Sequence, residues 1–132
     1  MNRRLHPYIL LASLFLLLSP VAALADAGKI FFGSSGYQVA GRVEGDKIFY
    51  SGSGYTVAGR IEGNKVLAGS SGFTVLARFE AGKIFAGSSG YTVLGRVEGL
   101  KVYRGSSGYD VACRGEGTGV LSLALAAAAL CL

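Results

Sequence analysis

The chain has 132 residues, 51% of them hydrophobic, with 21 glycines and a formal net charge of +5. That length suits one domain rather than two, and glycines at fixed positions without a three-residue period exclude a collagen-like or low-complexity chain. The charge is no nucleic-acid signature: Arg3 and Arg4 lie near the N-terminus, and the other eleven basic residues face eight acidic ones, so nucleic acid is not an expected partner.

Residues 1–25 read as a signal-peptide helix. Asn2-Arg3-Arg4 is the basic start, Tyr8 to Leu18 the apolar stretch, and Ala23-Leu24-Ala25 the small-x-small cleavage site. The expected destination is the periplasm, the cell surface or the extracellular space.

Residues 26–116 form the expected repeat domain. Copies begin at Lys29, Lys47, Lys65, Lys83 and Lys101, a fixed period of 18 residues. A unit this short cannot bury an apolar face alone, so neighbours must share a sheet. Each copy predicts two strands. The first is short (Lys29 to Phe32, Lys47 to Tyr50, Lys65 to Ala68, Lys83 to Ala86, Lys101 to Arg104). The second alternates with period two, as in Tyr91 to Glu98. Strict alternation puts Tyr91, Val93, Gly95 and Val97 on one face, the expected core, and Thr92, Leu94, Arg96 and Glu98 on the other.

Two kinds of turn punctuate the copies. Gly45-Asp46, Gly63-Asn64 and Gly99-Leu100 have glycine first, the pattern of a type II′ hairpin, whereas Ala81-Gly82 calls for a different turn. Their flanks, Glu44 and Lys47, Glu62 and Lys65, Glu80 and Lys83, Glu98 and Lys101, would then lie opposite each other as charge pairs. Within copies the link is Gly-Ser-Ser-Gly, with Ser51 to Gly54 as a variant.

The fold class expected is all-β: five tandem 18-residue two-stranded repeats forming an antiparallel β-meander, with a β-solenoid as the alternative. A solenoid would stack lysines and arginines in like-charge columns, which the meander avoids. An outer-membrane barrel needs strands of about 9–11 residues, longer than the first strand of each copy. Residues 117–132 depart from the repeat. Gly117 to Leu121 keep the phase of a sixth copy, after which Ser122 to Leu132 become an Ala/Leu helix. This short apolar tail either associates with a membrane through residues 120–132 or covers the sheet's apolar face or edge.

Catalytic chemistry finds little support. The single histidine, His6, lies in the leader, leaving no histidine base or ligand beyond it. The ladder Glu44, Glu62, Glu80, Glu98 and Glu116 offers equivalent carboxylates, whereas acid/base work needs unlike ones. No cofactor or metal site is expected, and the chain is not expected to be an enzyme.

The candidate interaction residues are the recurring aromatics Tyr37, Tyr55, Phe73, Tyr91 and Tyr109 and the recurring arginines Arg42, Arg60, Arg78, Arg96 and Arg114. Together they could form a ladder for a glycan or a membrane surface. Against that, alternation buries the rings and separates them from the arginines. Cys113 and Cys131, one period apart, are candidates for a disulfide or for two free thiols. In composition and period the chain is similar to exported bacterial proteins built from short glycine-rich β repeats. The functional expectation is a non-catalytic exported protein of the cell envelope or medium, acting as a structural or binding module. A self-assembling, fibre- or sheet-forming subunit that adds strands between molecules is the alternative.

Overall fold

Each 18-residue copy folds as a hairpin half-turned into the next, and the computed structural model describes residues 27–132. The signal peptide expected at 1–25 lies outside the described residues. The strands are β1 (Ala27–Phe32), β2 (Val39–Glu44), β3 (Lys47–Tyr50), β4 (Val57–Glu62), β5 (Lys65–Ala68), β6 (Val75–Glu80), β7 (Lys83–Ala86), β8 (Val93–Glu98), β9 (Lys101–Arg104) and β10 (Val111–Glu116), followed by helix α1 (Val120–Leu130).

The tight turns join the strands as the glycine pattern requires. Gly45, Gly63 and Gly99 take positive φ while the residue after each does not, the signs of a type II′ turn. At the exception both residues are left-handed, Ala81 at φ 52° and Gly82 at φ 81°, as in a type I′ turn. Glu44 lies opposite Lys47, Glu62 opposite Lys65, Glu80 opposite Lys83 and Glu98 opposite Lys101.

The sheet is not an open meander. Neighbours in sequence pair antiparallel throughout, which also excludes the solenoid, but β1 then pairs with β10 and closes a ten-strand barrel. The closing ladder sets Lys29 opposite Glu116 and Phe32 opposite Cys113. Strand twist accumulates in one hand along a sheet, and closure removes the two unpaired edges that an open sheet would expose.

A second departure is a β-bulge in every copy. Ile84 pairs with Gly95 and Phe85 with Val93, so Leu94 has no partner of its own on β7. The same slip recurs at Ala40, Ala58, Leu76 and Ala112. An extra residue breaks the alternation. Leu94 therefore joins Gly95 and Val97 on the core side, contrary to the strict period-two assignment.

About eight strands enclose just enough space for side chains to fill. Ten leave room, and α1 occupies it. Leu123 to Ala127 are fully buried, packed with Ile30, Val43, Ile48, Val66, Ile84 and Val102 from the wall. A helix apolar all round is one surrounded on every side, so the tail is a plug for the lumen. It begins beside the tight turns, where Gly115 faces Leu123, and ends toward the Gly-Ser-Ser-Gly loops, where Gly41 faces Leu130 and Gly95 faces Leu132. A Cβ at Gly41 would lie 2.5 Å from the Leu130 side chain. Small residues at Gly41, Gly59, Ala77 and Gly95 make the passage. No basic residue lies in the helix's own last turn, and Arg104 of β9 supplies that charge by donating to the Cys131 carbonyl at 3.2 Å.

Candidate functional site

The outer wall carries the repeated chemistry. In the second hairpin Arg42 rises from β2 and its guanidinium lies 4.5 Å from the centre of the Phe49 ring and 5.4 Å from that of Tyr55. Its Nε donates to Glu44 at 2.7 Å and its Nη2 donates to the Gly54 carbonyl in the next loop. The Tyr55 ring meets Phe49 edge to face, 6.0 Å between centres. One arginine thus fixes a carboxylate, a loop carbonyl and two rings at once, which its planar, multi-donor fork allows.

The unit recurs around the barrel. Arg78 holds Phe85, Tyr91, Glu80 and the Gly90 carbonyl, and Arg96 holds Tyr103, Tyr109, Glu98 and the Gly108 carbonyl. Arg60 reaches the Gly72 carbonyl and Glu62, with Leu67 where the others have an aromatic and Phe73 as the outer ring. The fifth unit crosses the closure: Arg114 of β10 lies over Phe31 and Tyr37 of the first copy and donates to the Gly36 carbonyl. The last copy is therefore bonded to the first as each copy is to its successor.

This arrangement corrects the expectation that the aromatics are core and lie apart from the arginines. Tyr37, Tyr55, Phe73, Tyr91 and Tyr109 are 81–87% exposed. Each precedes its strand by two residues, outside the stretch where alternation applies, and the bulge shifts the phase that would have linked it to the core face. The rings under them, Phe31, Phe49, Phe85 and Tyr103, were the residues that sequence reasoning passed over. Their signal is the third position of the short strand, aromatic in four of five copies.

The arginines are not free to take an anionic ligand. Their side chains are largely buried behind carbonyl, carboxylate or ring contacts, Arg78 most of all at 6% exposure, and the Nη1 atoms of Arg42, Arg60 and Arg96 that lack a hydrogen-bond partner are themselves buried. What remains open is the row of outer rings, between serine-rich loops. At the opposite end of the barrel a groove of about 340 Å³ is bordered by Lys29, Arg42, Glu44 and Glu116, a balanced set of charges. Among the described residues no cluster of histidine, cysteine or carboxylate suits a metal ion.

Ten short strands in five near-identical hairpins, closed on themselves, are the pattern of a repeat barrel. The sequence matches a family model described as the 6-fold beta flower protein over residues 17–125. The chain belongs to that family. No curated protein and no solved structure matches it. Among the described residues of this beta flower chain there are five hairpins, and the residues that keep the phase of a sixth copy, Gly117 to Leu121, instead turn inward and start the plug.

Inside the lumen, Cys113 occupies the wall position held by Gly41, Gly59, Ala77 and Gly95 in the other copies. Cys113 is buried, Cys131 partly so, and both are free thiols. A hydrogen bond with Cys113 and burial raise the Cys131 thiol well above its ordinary range, against a smaller opposing pull from Arg104.

Proposed function

We propose that the beta flower chain works after export as a non-catalytic binding module, presenting a girdle of five aromatic rings to a repeating saccharide. The observation that carries this reading is the exposure of Tyr37, Tyr55, Phe73, Tyr91 and Tyr109, 81–87% in each case, in a protein that had a core in which to bury them. Tyr37, Tyr55, Tyr91 and Tyr109 are each pinned from behind by a neighbouring ring and an arginine, so little side-chain entropy is lost when a ligand stacks on them. A pyranose offers an apolar C–H face to such a ring, and the adjoining serines offer hydroxyls to its rim. Equivalent strands of neighbouring hairpins are two strand spacings apart, about 9.5 Å. Regular repetition of weak sites is the arrangement that multivalency rewards.

A non-catalytic role is supported by the carboxylates. Glu44, Glu62, Glu80 and Glu98 are equivalent and each is paired with an arginine at 2.7–3.7 Å, so none is set apart as acid or base. Closure of the sheet leaves no strand edge among the described residues for strand-by-strand assembly, which favours the binding module over the self-assembling subunit.

The test is co-sedimentation with insoluble cellulose, chitin and peptidoglycan. Wild type is expected to pellet with at least one of them. Alanine at one ring should weaken binding several-fold and alanine at three should abolish it, because the sites act together. Recovery of the wild type in the supernatant with all three polymers, or undiminished binding when all five rings are alanine, would remove the saccharide reading. Retention on anionic vesicles instead would point to a membrane surface.

A further inference from the structure

The wall positions that face the end of the plug are almost all stripped to glycine or alanine. Gly41 faces Leu130, Gly59 faces Ala129 at 3.6 Å and Gly95 faces Leu132 at 3.2 Å, each measured from the Cβ a larger residue would carry. The fifth such position is Cys113, wholly buried, and Cys131 of the plug packs against the cluster to which Cys113 belongs. A cysteine is the one larger side chain admitted at this level, and it meets a second cysteine. We propose that Cys113 and Cys131 form an intramolecular disulfide that fastens the plug to the barrel wall. The inference is independent of what the rings bind.

The chemistry needs a disulfide donor, and any small-molecule or protein disulfide suffices. Cys131 is the accessible partner, at the loop end of the lumen. Its thiol loses a proton and the thiolate attacks the donor's S–S bond, forming a mixed disulfide and expelling one donor thiolate. Cys113, deprotonated in turn, attacks the Cys131 sulfur and expels the second. The two donor thiolates take up the two protons. The protein thus loses two electrons and two protons, and the donor gains them. The tight hold on the Cys131 proton makes the first step slow in the finished barrel, so the bond forms fastest while the plug is entering the lumen.

The test uses the full chain, reduced in denaturant and then refolded with oxidised glutathione, beside folded protein given the same donor. Expected are a monomer lighter by two hydrogens, a linked pair of peptides containing Cys113 and Cys131, and an unfolding constant smaller on the order of 10²-fold, from closing a loop of this length. Dithiothreitol should reverse all three. Free thiols, glutathione adducts or disulfide-linked dimers under both regimes would overturn the proposal, as would the same stabilisation in Cys113→Ala.

Discussion

Restoring the repeat consensus at one position should damage this protein. Val43, Ile61, Phe79 and Val97 occupy equivalent inward sites, and the fifth copy has Gly115 there. In an open sheet Gly115→Val would stabilise, since valine suits a strand and glycine costs it roughly 1 kcal/mol in entropy. In this barrel a Cβ at that site would lie 2.5 Å from Thr118 Oγ1 and 3.0 Å from a Leu123 methyl, where the chain doubles back to enter the lumen. Overpacking of this kind costs about 1–3 kcal/mol, so the net expectation is a loss of up to about 2 kcal/mol, or up to roughly 15 °C in Tm for a domain of this size. Leu123→Ala alone should cost about 3 kcal/mol through the cavity it leaves. The double variant should cost less than the sum, by about 1–2 kcal/mol, because the smaller residue accommodates the larger. Urea unfolding of the four proteins, followed by circular dichroism, measures the cycle. A Gly115→Val protein more stable than wild type, or strictly additive effects, would mean that α1 does not pass this wall.

Arg78→Met should cost about 3 kcal/mol, the combined loss of a charged hydrogen bond to Gly90, ring contacts and an exposed ion pair, and Arg78→Lys should recover only part of it; thermal melts decide. Ala81→Gly relieves a left-handed alanine and Ser51→Gly a left-handed serine, at φ 52° and 60°, so each should add about 0.5–1 kcal/mol in urea titrations. The Cys131 thiol gives a pH signature in the reduced protein. Its folded value lies above the ordinary 9.0, so the native state keeps a proton that the unfolded chain releases. Its contribution is complete below about pH 9 and is lost progressively as pH rises beyond that, by up to about 1.4 kcal/mol per unit. Cys131→Ala should flatten that part of the profile, and an unchanged slope would refute the assignment.

The local structure was legible because short-range rules decide it. The short strands β3, β5, β7 and β9 fall on the residues read from the sequence, and the turn at Ala81-Gly82 departs from its relatives as its missing first glycine implies. The antiparallel pairing of neighbours was legible for the same reason. Closure was not, since it depends on twist summed over ten strands and on the pairing of Lys29 with Glu116, far apart in sequence. The bulges were not, because an unpaired Leu94 looks like any alternating residue. The site suffered most from that gap: one extra residue per copy was enough to send the aromatics inward on paper when the fold turns them out. A signal did exist in the glycines of the lumen. Glycine or alanine at Gly41, Gly59, Ala77 and Gly95, in strand interiors where either is unfavourable, implies that something approaches closely, and the Ala/Leu tail was the element available to do so.

Closure by Arg114 and β10 also dictates an order of events. Stacked repeat proteins can start folding anywhere and add units one at a time, and a shortened array loses stability in proportion. Here the first strand has no outer partner until the tenth has been made, and the plug comes later still. A chain that has not yet placed β10 and α1 is an unsealed sheet with an empty apolar trough, so completion of the fold waits for those two elements. Pairings of such long sequence separation fold slowly, and the lost member of a deleted hairpin could not be made good by its neighbours. The fivefold repetition thus behaves kinetically as a single unit.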